Sequence, residues 1–184
     1  MRDGRVTAAL RRVIIREGDM AASPWPKDTM DAKIAFYGDP RGPHGESPKW
    51  RAANEKRIVP PFQMFFAGKK LKSIAVHKKI ADAVEAALED IWEACGKDQT
   101  KVDKSGASDF AGCFNFRVIA GSKPQRLSNH AFGCALDLSP KTNGFNAGKG
   151  TISNIVVDAF KKQGARWGGD FKKRTDPMHF EFVS

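Results

Sequence analysis

Apolar residues recur at helical spacing in three stretches of the chain and alternate with polar ones in three others. Between Ser73 and Ala94, Ile80, Val84, Ala87, Leu88, Ile91 and Trp92 form a stripe with steps of 4, 3, 1, 3 and 1, and Gly96 follows. That period gathers them on one face and predicts an amphipathic helix lying on a core. Between Thr151 and Gln163, Ile152, Ile155, Val156, Ala159 and Phe160 share a face, with Thr151 able to cap the start and Gly164 beyond the end. A shorter stripe, Ala9, Leu10, Val13 and Ile14, predicts a helix over Thr7 to Glu17 that stops at Gly18. Phe114 to Ile119, Ala135 to Leu138 and Met178 to Val183 alternate and predict short strands. Leu71 to Val76 reads as a strand or as the entry to the long helix. Ala21 to Pro61 is dense in proline and is expected to be irregular, pinned to the body by Trp25, Phe36, Tyr37 and Trp50. Lys97 to Ala111 and Lys141 to Gly150 read as loops. Helices and short strands in this order imply an α+β fold, a small mainly antiparallel sheet with flanking helices. Residues 1–60 are read as an N-terminal helix and proline-rich extension packing on a body of residues 61–184.

Composition narrows the class. The 184 residues fit one domain with an ordinary core, and 41% apolar with 28% charged residues fit a soluble globular protein. No apolar run approaches the roughly 20 residues that span a bilayer. Met1 to Met20 carries arginines but neither a long apolar stretch nor a small-residue cleavage site, so no secretory signal peptide is expected. The net charge of +10 favours a polyanionic partner: nucleic acid, anionic lipid or an anionic cell-wall polymer. The aromatics do not interleave with the basic residues as stacking platforms would, which argues against nucleic acid. Cys95, Cys113 and Cys134 form no C-x-x-C pair, and their odd number points to buried thiols rather than a disulfide framework. A monomer is expected.

The candidate chemistry lies in the last third. In the tail strand, Met178, Phe180 and Phe182 point one way, so His179 and Glu181 point the other. In Ala135 to Leu138 the leucines face the core and Asp137 lies opposite. If these strands pair, Asp137 and His179 converge, and a tight turn at Gly133 can bring His130 to the same spot. Two imidazoles and one carboxylate leave a fourth position open on a tetrahedral zinc, the pattern of catalytic zinc sites. Asp176, at a bend into Pro177, is the candidate general base. Arg117, on the Phe114 to Ile119 strand with Phe116 and Val118 toward the core, is the candidate for stabilising an oxyanion. His44 and His77 are read as structural.

Ser128-x-His130-x-x-Gly133-x-Ala135-x-Asp137, followed by Trp167-Gly168-Gly169-Asp170 and Asp176-x-x-His179-Phe180-Glu181, resembles the zinc D-alanyl-D-alanine carboxypeptidases and L-alanyl-D-glutamate endopeptidases. That group includes phage endolysins and vancomycin-resistance D,D-peptidases. The resemblance is close over Phe114 to Phe182 and looser over Val76 to Trp92. It implies the hedgehog and D,D-peptidase type of α+β fold, and one zinc ion held by His130, Asp137 and His179. It implies Asp176 as acid and base, Arg117 as the group polarising the scissile carbonyl, and Ser128 and Trp167 beside the substrate. Glu181 is expected to orient a metal-binding imidazole from behind, with Asp170 in a similar supporting place. The implied substrate is the peptidoglycan stem peptide. An L-alanyl-D-glutamate endopeptidase acting as a phage-type endolysin is the first reading, made in the cytoplasm and reaching the wall after release. A D-alanyl-D-alanine carboxypeptidase is the alternative, and a non-catalytic zinc-containing wall-binding module a further one.

Overall fold

A computed structural model describes residues 23–123 and 125–184. The helix expected over Thr7 to Glu17 lies outside the described residues. The order of elements is α1 (Met30–Tyr37), β1 (Arg41–Gly42), β2 (Gly45–Glu46), α2 (Pro48–Asn54), β3 (Glu55–Ile58), β4 (Phe65–Phe66), β5 (Lys69–Lys70), β6 (Ile74–His77), α3 (Ala81–Ala94) and α4 (Gln99–Ser105). Then follow β7 (Phe110–Gly112), a 3-10 turn (Asn129–Phe132), β8 (Ala135–Leu138), α5 (Pro140–Asn143), α6 (Asn154–Lys162), β9 (Arg166–Trp167), a second 3-10 turn (Gly168–Asp170) and β10 (His179–Glu181). The mixed α+β class is as expected. The largest sheet has the order β7-β8-β10-β9, with every pair antiparallel.

The long stripe forms α3, where Val84, Ala87, Leu88 and Ile91 are buried and pack toward α6. The helix starts later than the apolar pattern because Ile74 to His77 extend as β6, paired with β3 from Glu55↔His77 to Ile58↔Ile74. Ser153, not Thr151, caps α6, its side chain accepting from the Ile155 N–H. Ile155 is exposed, and Val157 takes its expected place in the core.

Two stretches are more regular than expected. Residues 21–61 contain α1, α2 and β3. Thr29 caps α1, and Ser47 caps α2 with Pro48 in its first turn, where a missing N–H is harmless. The stretch 97–111 holds α4, capped by Asp98 and closed by Gly106, and then β7. Conversely, Phe114 to Ile119 is not a strand of the sheet. It is extended, touches the chain again at the bridge Val118↔Leu127, and leaves Val118 exposed rather than in the core.

α1 and α2 dock tightly on the rest. The Tyr37 hydroxyl donates to the Phe182 carbonyl at 2.6 Å, and Trp50 Nε1 donates to the Tyr37 carbonyl at 3.1 Å. His77 is buried, as expected for a structural histidine: its Nδ1 accepts from the Lys79 N–H, so Nε2–H donates to the Tyr37 carbonyl. All three cysteines are buried and free. Among the described residues, no helix is long and apolar enough to cross a membrane.

Candidate metal centre

β8 and β10 are neighbours, and Asp137 and His179 are direct cross-strand partners. Leu136, Leu138, Phe180 and Phe182 are buried on the core side, which leaves the two polar side chains together on the other. His130 arrives from the 3-10 turn. Ser128 caps that turn by accepting from the His130 N–H, and Gly133 ends it in the left-handed region at φ 62°. The turn is also tied down by the Asn115 N–H, which donates to the His130 carbonyl.

The three donor atoms converge. His130 Nε2 lies 3.1 Å from His179 Nδ1 and 3.3 Å from Asp137 Oδ2, and His179 Nδ1 lies 3.0 Å from Asp137 Oδ1. Ligands about 2.0–2.1 Å from a tetrahedral zinc stand about 3.3 Å apart. The group could therefore hold one metal ion with little movement. The side chains of His130, Asp137 and His179 are 4, 15 and 11% exposed, so one side of the group opens to solvent. The outer face of each imidazole is also held. His130 Nδ1–H donates to the Cys113 carbonyl at 2.8 Å, and His179 Nε2–H donates to Glu181 Oε2 at 3.1 Å. With the outer nitrogens so occupied, the inner nitrogen of each ring is the one available to a metal ion at the centre, as ligation requires.

Electrostatics fit a cation in the same place. Burial alone would push the Asp137 carboxyl up, but hydrogen bonds from the two histidines reverse this and hold it well below the usual carboxylate range. Burial would likewise depress His179, yet hydrogen bonds to Asp137 and Glu181 outweigh it and raise the imidazole to about 10. Two buried carboxylates around one imidazole thus draw in positive charge, either a proton or a metal ion.

Asp176 stands beside this group with one carboxyl oxygen, Oδ1, buried and without a hydrogen-bond partner among the described residues. Burial raises its pKa and Asp137 adds to this, while His179, His130 and Arg117 pull the other way. The upward direction suits a carboxyl that takes and returns a proton. Its backbone is fixed on two sides: its N–H donates to the Gly168 carbonyl, and its carbonyl accepts from His179 N–H, each at 2.9 Å. A Cβ at Gly168 would strike the Asp176 carbonyl, so the glycine permits this close approach. Trp167 Nε1 donates to the Pro177 carbonyl at 2.7 Å and braces the same bend.

Of the remaining residues singled out from the sequence, Arg117 is exposed at the base of the 117–128 arm, where its charge reaches Asp176. Ser128 is buried as the cap of the His130 turn. Asp170 does not support the ligands: it lies at the surface in an ion pair with Lys161 at 2.6 Å, because the second 3-10 turn carries it outward. His44 is exposed in the β1–β2 turn. Asn129 and Lys33, which no motif singled out, lie behind Glu181; only the position of Asn129 beside His130 hinted at it.

No curated protein and no solved structure matches the chain. Residues 121–182, which carry His130, Asp137, Asp176 and His179, match a family model described as D-alanyl-D-alanine carboxypeptidase.

Proposed function

We propose that this protein is a zinc-dependent peptidase of peptidoglycan stem peptides. The observation that carries the proposal is the convergence of His130 Nε2, His179 Nδ1 and the Asp137 carboxylate within 3.0–3.3 Å, beside Asp176, whose Oδ1 has no hydrogen-bond partner among the described residues. When bound there, a zinc ion supplies Lewis acidity toward a water and a peptide carbonyl. The chain's own groups do the rest. Asp176 takes a proton from the attacking water and returns it to the leaving amine. Arg117, at the exposed rim, meets the negative charge that develops on the carbonyl oxygen. Glu181 and the Cys113 carbonyl keep the two imidazoles turned inward.

Two bonds are candidates. The Trp167-Gly168-Gly169-Asp170 pattern supports an endopeptidase that cuts L-alanyl-D-glutamate, in the manner of a phage endolysin released to the wall late. The family description supports removal of a terminal D-alanine. The net charge of +10 favours approach to an anionic wall in either case.

The test is digestion of purified peptidoglycan by protein of known zinc content, with mass spectrometry of the fragments. New termini at L-alanine and D-glutamate identify the endopeptidase, and free D-alanine identifies the carboxypeptidase. Intact stem peptides after incubation with stoichiometrically zinc-loaded protein would sink the proposal.

A further inference from the structure

Behind the metal-ligand group runs a line of buried polar contacts that ends in the N-terminal part of the chain. His179 Nε2 meets Glu181 Oε2 at 3.1 Å, and the same oxygen accepts from Asn129 Nδ2 at 2.7 Å. Asn129 Oδ1 accepts from Lys33 Nζ at 2.7 Å. Lys33 is only 2% exposed although it is a lysine on α1. Its ammonium also meets Asp28 at 2.9 Å and lies 5.4 Å from the centre of the Phe132 ring. The other Glu181 oxygen has Arg166 Nε at 3.4 Å.

Donor and acceptor chemistry gives this line one direction. An ammonium can only donate, so the Asn129 atom facing Lys33 must be its oxygen. The Asn129 amide nitrogen is then turned to Glu181 and donates to it. A carboxylate only accepts, so the His179 nitrogen against it must carry the proton. The His179 nitrogen left to exchange its proton for a metal ion is thereby the one aimed at Asp137 and His130. Remove the ammonium, and the Asn129 oxygen loses its buried partner, so the side chain is free to swing away from Glu181.

We propose that Lys33 is a positioning residue for His179: by anchoring Asn129 it holds Glu181, and through Glu181 the imidazole, in the metal-binding arrangement. This rests on the reading of His130, Asp137 and His179 as zinc ligands. It gives α1 a part in the site, since the helix delivers the ammonium that anchors Asn129.

The test compares zinc affinity, by chelator competition, and the cobalt(II) absorption spectrum for wild type, Lys33→Met, Glu181→Gln and the double variant. Each single change is expected to weaken zinc about 10- to 100-fold, the usual effect of losing such an outer partner. The cobalt spectrum of Lys33→Met is expected to shift. Because the two residues act in series, the double variant binds no more weakly than the weaker single one. Wild-type affinity and spectrum in Lys33→Met, or strictly additive losses, would overturn the role of Lys33 and leave the metal site standing. A wild-type protein that binds no zinc would instead overturn the proposed function, and this inference with it. If Lys33→Met does not fold, a triple variant that adds Asp28→Asn to the double one, so that neither carboxylate of the line is left unbalanced, is expected to fold; its failure as well would assign Lys33 to packing alone and overturn the inference.

Discussion

A buried carboxyl oxygen without a partner is destabilising, and Asp176 keeps one next to three residues that could hold a metal. Such a group persists where the chemistry needs it. Asp176→Asn keeps the shape and removes the base, so zinc content stays stoichiometric while kcat on stem peptides falls about 100- to 10,000-fold. A variant retaining kcat within tenfold of wild type would exclude Asp176 as the acid and base. The neighbouring Gly168→Ala tests position instead of chemistry. Its Cβ must push the Asp176 backbone away. A displacement of about 1 Å costs on the order of 100-fold in rate. Kinetics and thermal melts of this variant are expected to show a large loss of kcat/KM with zinc retained.

At the scale of elements, the paired strands were legible because period-2 alternation fixes which residues share a face. That reasoning placed Asp137 and His179 together, and β8 and β10 indeed pair with those two residues opposite each other. Helix ends were less legible, since several polar residues near a boundary can each serve as cap. Thr151 was the expected cap of α6, but its hydroxyl pairs with Thr142 and its N–H donates to Asn143, so the chain enters the helix two residues later at Ser153. Ser153→Ala is therefore expected to cost about 1 kcal/mol in urea unfolding. Thr151→Ala should stay within about 0.5 kcal/mol, as for ordinary surface changes. The reverse order would show that α6 is capped differently. The helices of residues 23–60 were hidden for a different reason. Proline density suggests breakage, yet Pro48 sits in the first turn of α2, where it is compatible with the helix. The buried Lys33 was invisible for the same kind of reason: no spacing rule distinguishes a lysine that reaches a distant asparagine from one in solvent.

For the whole molecule, the link between the N-terminal helices and the body can be tested through one titrating group. His77 ends β6, its N–H donates to the Gly133 carbonyl beside the candidate metal centre, and its ring donates to Tyr37 at the end of α1. The Tyr37 hydroxyl in turn holds Phe182 next to β10. Burial drives the His77 pKa down from 6.5 to about 4; the hydrogen bond to Tyr37 opposes this, and Lys78 and Lys79 add to it. Folded His77 thus stays neutral where the unfolded chain has already taken up a proton. The unfolded state binds more protons between these two values, so stability is unaffected above about pH 6.5 and falls as pH drops toward about 4. The full loss, reached below the folded value, is about 3 kcal/mol at about 1.4 kcal/mol per pKa unit. His77→Gln keeps an amide donor and cannot titrate. Groups common to the two proteins cancel in the difference. Urea unfolding of the two proteins from pH 7.5 to 4 should therefore show their stabilities converging as pH falls, by about 3 kcal/mol over the window. Parallel stability curves would mean that His77 is protonated as readily in the folded protein as in the unfolded chain, and that the contact between α1 and β6 is looser than these hydrogen bonds imply.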